Sequence, residues 1–261
     1  MALKVFLTGA STGIGEAFAR HYAREGVQLG LVARSGDKLE ALAATLTPRP
    51  AIYSVDVRDR AGMNAAAADF IQRFGVPDIV IANAGVSKGT LTEHAEDIDV
   101  FQQIFDINVI GMVNTFHPFI VPMREARQGT LVGIASVAGF RGIPGGGAYS
   151  ASKAAAIKYC ESLRVELKRD GISVVTICPG YIRTPMTAVN RFKMPFIIGV
   201  EDAVERFARA IDRKASFAVI PWKMGMAARV LRILPNWLYD LAFTRMPRKP
   251  RDGELKKKDA A

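Results

Sequence analysis

The chain has 261 residues, of which 49% are hydrophobic and 23% charged, the balance of a globular protein with a sizeable core. That composition excludes disorder over most of the length. Two cysteines, Cys160 and Cys178, are too few for a disulfide framework or a cysteine-rich zinc site, and His21, His94 and His117 lack metal-ligand spacing. Reduced thiols in the cytoplasm and no metal are therefore expected. Net charge is +10. Residues 222–261 hold ten Lys/Arg against four acids, so the basic excess sits mostly at the C-terminal end and does not indicate a nucleic-acid-binding body.

Ala2–Leu7 is a short apolar run ending in glycines, which predicts a buried strand. Only three apolar residues follow Lys4 before Thr8 and Gly9, so no signal-peptide core is expected, and no apolar run of bilayer length is seen. Further strands are predicted at 28–33, 51–55, 78–82, 130–135, 172–177 and 217–220. Helical stretches are predicted at 13–25, 37–46, 60–74, 93–125, 148–169 and 201–212. The strands are continuous rather than alternating apolar runs, as burial on both faces requires. Their alternation with helices predicts an α/β fold: one Rossmann-type, doubly wound parallel sheet of seven strands spanning 1–221.

The first strand runs into Thr8-Gly9-Ala10-Ser11-Thr12-Gly13-Ile14-Gly15 and then a helix. Glycines there permit a tight turn and close backbone approach to a pyrophosphate, and the helix N-terminus offers free N–H groups and a positive dipole end. The second strand ends in Ala33-Arg34-Ser35. An acid at this place would hold the ribose 2′-OH of NAD, whereas an arginine accommodates a 2′-phosphate, so NADP(H) is the expected cofactor.

Tyr149 and Lys153 stand four apart at the start of a long helix and share one face. An ammonium ~4–5 Å from a phenol favours the phenolate by roughly 3–4 kcal/mol at an effective dielectric near 20. That brings the tyrosine towards working pH, where a general acid/base is most effective. Ser136 ends the fifth strand, at the strand end where ligands bind in such sheets, and its hydroxyl suits a substrate carbonyl oxygen. Asn83-Ala84-Gly85 follows the fourth strand, Asn108 lies in a helical stretch, and Pro179-Gly180-Tyr181-Ile182-Arg183-Thr184 follows the sixth.

Taken together, these motifs over residues 4–221 resemble the short-chain dehydrogenase/reductase family with its common core of about 250 residues. The resemblance implies hydride transfer between NAD(P)(H) and a carbonyl compound or alcohol, which with Arg34 becomes NADP(H) and a ketone, aldehyde or secondary alcohol. It implies Tyr149 as general acid/base, Lys153 as its activator and ribose ligand, Ser136 as the residue positioning the carbonyl, and Asn108 as holder of a water in the proton relay. It further implies cofactor contacts from Gly9, Ser11, Thr12, Gly13, Ile14, Gly15, Arg34, Asp56, Val57, Asn83, Ala84, Gly85, Pro179, Gly180, Ile182 and Thr184. Asp56 would bond the adenine, Asn83 the adenosine ribose side, and Ile182 and Thr184 the carboxamide.

The region 186–200 is rich in apolar residues, and by the resemblance it closes over substrate; Met186, Phe192 and Phe196 are the expected contacts for an apolar carbonyl compound. With Arg191 and Lys193 it also suits a 3-oxoacyl thioester. Gly145-Gly146-Gly147 precede Tyr149, either loosening the substrate-side loop or allowing a close backbone approach. A chain that binds NADPH without turnover is a third possibility, which the intact Asn108, Ser136, Tyr149 and Lys153 oppose.

Residues 222–245 carry apolar positions at amphipathic helical spacing, with Pro235 forcing a break. They are expected to pack on the body, on a partner subunit, or on an anionic membrane surface at the inner face. A basic tail, 246–261, is expected to be disordered. The resemblance implies a homodimer or homotetramer.

Overall fold

The computed structural model describes residues 2–190, 192–245 and 247–251. Seven strands form one all-parallel sheet: β1 (Leu3–Thr8), β2 (Val27–Ala33), β3 (Ala51–Ser54), β4 (Ile79–Ala82), β5 (Gly129–Ile134), β6 (Ile172–Pro179) and β7 (Phe217–Ile220). Their spatial order is β3-β2-β1-β4-β5-β6-β7. Val5 pairs with Leu29 on one side and Ile79 on the other, so the order reverses direction at β1 and opens a crevice beyond its carboxyl end. The seven predicted strands all form, and the predicted architecture is the observed one.

Helices cover both faces. On one lie α1 (Gly13–Tyr22), α2 (Gly36–Ala43) and α8 (Val200–Asp212), where Phe18 and Phe207 meet with ring centroids 5.9 Å apart over Val5, Leu31 and Val132. On the other lie α3 (Arg60–Phe74), α4 (Glu96–Phe105), α5 (Gly111–Ala126) and α6 (Gly147–Glu166), packing Phe70, Phe116 and Phe119 against Phe6 and Leu131. The short α7 (Pro185–Ala188) follows β6.

The stretch predicted as one helix over 93–125 is interrupted. Between α4 and α5, residues Asp106–Ile110 form a wider π-helical turn. A single extra residue per turn leaves the apolar pattern nearly unchanged, so the sequence does not betray it. The continuous segment Glu96–Ala126 is long and apolar enough, by length and composition, to cross a bilayer; half of that window is buried inside the domain, as in a core helix.

Past the sheet, α9 (Trp222–Ile233) and α10 (Asn236–Phe243) are separated at Pro235, as expected for a residue that cannot donate within a helix. Residues 247–251, at the start of the tail expected to be disordered, lie against the body: Gly89 N donates to the Pro250 carbonyl at 3.2 Å. The rest of that tail, 252–261, lies outside the described residues.

Candidate active site

Two adjoining cavities occupy the crevice. The larger, of about 360 Å³, runs along the glycine turn and is lined by Gly9, Ser11, Thr12, Gly13, Ile14, Gly15, Arg34, Asp56, Val57, Asn83, Ala84, Gly85 and Thr184. All of these are expected cofactor contacts. The turn needs its glycines: Gly9 and Gly13 have φ of +67° and +58°, in the left-handed region. At Gly15 a Cβ would stand 2.0 Å from the Gly9 carbonyl oxygen, so only a bare α-carbon lets α1 start so close to β1. No side chain caps the first turn of α1, which leaves its backbone N–H groups as anion donors facing the cavity. This donor set fits a pyrophosphate.

Asn83 has a second task. Its Nδ2 donates to the carbonyls of Thr8 and Gly9 at 3.0 and 3.2 Å, tying β4 to the glycine turn. At the far end, Arg34 is joined by Ser35 and Lys38. Lys38, four residues after Arg34 and within α2, carries no sequence signal that singles it out. Asp56 is gripped by Arg58, whose Nε and Nη2 donate to its two oxygens at 3.0 and 2.7 Å. That guanidinium holds the Asp56 carboxyl below the usual carboxylate range, against an opposing push from burial.

The smaller cavity, of about 120 Å³, holds the reacting groups. Ser136, Val137, Ile143, Pro144, Tyr149, Gly180, Tyr181, Met186, Asn190 and Phe192 are among its walls. Ser136 leaves β5 in extended backbone and starts a 3₁₀ turn, its Oγ accepting from Ala138 N at 3.1 Å. The Tyr149 phenol shares this cavity wall. Burial pushes that phenol's pKa up, and the neighbouring Ser136 hydroxyl opposes the push.

Lys153 is 5% exposed, with Nζ 5.9 Å from the Tyr149 ring centroid and donating to the Ile134 carbonyl at 2.9 Å. Burial lowers its pKa to about 8. The ammonium is thus turned towards β5, with its one hydrogen bond to a strand carbonyl. Here desolvation, not the ammonium, dominates the tyrosine.

Asn108 sits in the π-turn, buried. Its Oδ1 accepts from Val86 N at 2.8 Å, and its Nδ2 donates to the Val86 carbonyl and to Ser152 Oγ, both at 3.0 Å. Ser152, which sequence reasoning passed over, donates to the Tyr149 carbonyl at 2.8 Å and so links Asn108 to the start of α6. Both groups of the Asn108 side chain are engaged; its contribution is to lock the β4 exit loop against the tyrosine helix. Gly85 completes the arrangement: a Cβ there would lie 3.2 Å from Asn108 Oδ1 and 3.4 Å from Lys153 Nζ.

Several expected contacts fall elsewhere. Lys153, the expected ribose ligand, lines neither cavity. Pro179 and Ile182 line neither cavity; Ile182 is buried, and its carbonyl accepts from Thr187 Oγ1 at 2.6 Å. Gly180 faces the smaller cavity instead of the cofactor cleft. Phe196 does not line the substrate side: it is half exposed and has a left-handed backbone, φ +58°. Arg191 lies outside the described residues.

Comparison with known proteins agrees with this geometry. Residues 4–194 match the short chain dehydrogenase family. An uncharacterized oxidoreductase of Myxococcus xanthus is 38% identical over 245 residues, covering 92% of this chain and 96% of that one. Oxidoreductase UcpA of Salmonella typhimurium is 40% identical over 185 residues, covering 69% of each chain. Dehydrogenase/reductase SDR family member 7B of Mus musculus is 36% identical over 191 residues, 70% of this chain and 58% of that relative. The crystal structure of a short-chain dehydrogenase from Streptomyces avermitilis superposes with a TM-score of 0.77 at 25% identity, covering 94% of this chain and 100% of that one. The chain belongs to the short-chain dehydrogenase/reductase family of oxidoreductases, which work with a nicotinamide cofactor.

Proposed function

We propose that the protein is an NADP(H)-dependent reductase of ketones or aldehydes with an apolar body, or of the corresponding secondary alcohols in reverse. The observation that carries this reading is the Ser136 and Tyr149 hydroxyls in the wall of one cavity whose apolar walls include Val137, Ile143, Pro144, Met186 and Phe192. Arg34 and Lys38 at the far end of the adjoining cavity favour the phosphorylated cofactor.

The nicotinamide, when bound, supplies the hydride. Ser136 and Tyr149 donate hydrogen bonds to the carbonyl oxygen as it gains negative charge, and Tyr149 gives it the proton. The raised pKa of the buried phenol keeps it protonated at neutral pH, the form this direction needs. Lys153 stabilises the phenolate that remains. Val137, Ile143 and Pro144 exclude water from the pair.

A screen of NADPH and NADH oxidation over ketones, aldehydes, steroids and acyl thioesters tests the proposal, with the Tyr149→Phe protein as blank. Turnover of simple carbonyl compounds above that blank is expected. Turnover of 3-oxoacyl thioesters alone would shift the assignment to the thioester reductase, and no turnover with NADPH binding intact would favour a cofactor-sensing protein.

A second reading concerns the C-terminal extension. α9 packs on β7 through buried Gly225 and Ala228, leaving Trp222, Met226, Val230, Ile233, Trp237 and Leu241 exposed beside Lys223, Arg229 and Arg232. An apolar row with a basic rim suits the inner, anionic face of a membrane around a cytoplasmic enzyme. Flotation with vesicles containing anionic lipid is expected to carry the full chain, and Trp237→Glu should abolish it; no flotation of the full chain would refute this. Ile98, Phe101, Ile110, Val121 and Val165 form a separate exposed apolar set on α4–α6, suited to a homodimer or homotetramer, which sedimentation velocity measures.

A further inference from the structure

The C-terminal extension returns to the active site. Arg141, on the loop before α6, clamps its helices: Nη1 donates to the carbonyls of Leu231 and Leu234, both at 2.7 Å, and Nη2 donates to Asn236 Oδ1 at 3.0 Å. The same guanidinium lies 4.1 Å over the Tyr239 ring. The chain then crosses back, and residues 247–251 strap the mouth of the smaller cavity. Gly145 makes room for the crossing: its φ is +73°, and a Cβ there would stand 2.9 Å from Arg248 Cβ. Of the two roles open to the glycine run before Tyr149, close backbone approach is the one Gly145 serves.

The strap is pinned by Arg251, whose Nε donates to Asp97 Oδ2 at 2.7 Å and whose Nη2 donates to Glu96 Oε1 at 2.8 Å. Asp97 is 3% exposed and also accepts from Leu91 N at 2.8 Å. A buried, doubly bonded carboxylate of this kind fixes the position of its partner. Pro247 and Lys249, one on each side of Arg248, thereby become walls of the cavity that holds Ser136 and Tyr149.

Lys249 is the unusual wall. Its Nζ donates to Ser87 Oγ at 2.8 Å, and no carboxylate among the described residues pairs with it; Glu96 and Asp97 pair with Arg251 instead. Burial lowers its pKa to about 8, so it is still mostly charged at neutral pH. An ammonium has three donors, and only one is accounted for. A largely buried cation without a counter-charge is costly to fold, and an anion arriving with the ligand offsets that cost.

We propose that Lys249 is the anion-recognition residue of the substrate site: the carbonyl compound reduced at Ser136 and Tyr149 carries a carboxylate that pairs with this ammonium. The inference rests on the reductase reading above and sharpens its substrate class to an oxo acid, with its apolar carbons against Ile143, Pro144 and Phe192. The cavity, at about 120 Å³, is small beside the roughly 300–1,000 Å³ of most ligand sites. The carboxylate therefore stands a few bonds from the carbonyl. The phosphates of an acyl thioester, far down a long carrier, do not meet this condition.

Matched pairs test the proposal: formylbenzoate against its methyl ester, and oxopentanoate against its methyl ester, with the full chain. In the wild-type protein kcat/KM is expected to favour the acid by about tenfold or more, the effect of one charge-assisted hydrogen bond. Lys249→Met is expected to bring the acid/ester ratio to about one, and Lys249→Arg to keep the preference. A merely structural lysine would lower both rates together and leave the ratio alone; an unchanged ratio in Lys249→Met, or no preference in the wild type, overturns the proposal. If no pair is reduced at all, the reductase reading fails separately. Calorimetric binding of benzoate against methyl benzoate then decides the anion site. Tighter benzoate binding that is lost in Lys249→Met upholds it, and equal binding overturns it.

Discussion

Replacing Tyr149 with Phe is expected to cut carbonyl reduction by roughly 10²–10⁴-fold, the span of a positioned general acid, while NADPH binds as before. The change removes one hydroxyl and keeps the ring. Ser136 remains to orient the carbonyl through its own hydroxyl, and it stays anchored by Ala138 N. What disappears is the phenolic proton beside Ser136 in the cavity wall. Steady-state NADPH oxidation reads the loss, and a fluorescence titration reads the cofactor affinity. The pH dependence adds a second check. Burial holds the phenol protonated through neutrality, which suits reduction. Lys153 loses its proton above about 8, and with it the charge that stabilises the phenolate left on Tyr149. Reduction should therefore fall as pH rises through that value. Alcohol oxidation starts from the phenolate, so the reduction-to-oxidation ratio should decline across the same range. Equal turnover by Tyr149→Phe would mean that another group delivers the proton.

The parts of this site that sequence reasoning reaches are those set by local spacing. Tyr149 and Lys153 share a helix face by arithmetic, and the glycine turn follows its strand directly. The seven strands are legible because a parallel sheet buried on both faces demands unbroken apolar runs. Helix ends are less so: α1 stops at Tyr22, short of the predicted Glu25, and β6 runs on to Pro179, beyond the predicted Ile177. The π-turn around Asn108 leaves no mark in the pattern, yet it brings the asparagine to Val86 and Ser152.

Long-range placements are the ones that stay hidden. Lys249 lies in a short charged stretch with no periodicity, a stretch that reads as solvated tail. Its position depends on Arg251 finding Asp97, far back in the chain, and no local rule encodes that pairing. Phe196 shows the converse failure. Its apolar side chain suggests a buried substrate contact, but it is half exposed on a left-handed backbone. Ile182 fails for a third reason, since its apolar side chain is drawn into the core beneath the loop.

Exchanging Arg34 for Asp is expected to lower the preference for NADPH over NADH by about a hundredfold in kcat/KM, as loss of a charge-assisted phosphate contact and gain of a repulsive carboxylate act together. The expectation rests on its place, directly after β2 and in the lining of the larger cavity. Asp56, the acid among the described lining residues of this cavity, is occupied by Arg58 through both of its oxygens. A new carboxylate at residue 34 would accept hydroxyl hydrogens from an unphosphorylated ribose and repel a 2′-phosphate. Lys38 faces the same cavity and leaves the variant some residual attraction for NADPH, so adding Lys38→Ala should widen the change further. The ratio of rates with the two cofactors, measured at subsaturating concentrations, is the readout. Because Arg34 is remote from Ser136 and Tyr149, turnover with saturating NADH should survive the exchange. A variant with an unaltered ratio would move the discrimination away from the end of β2, to Lys38 or to Ser11 in the glycine turn.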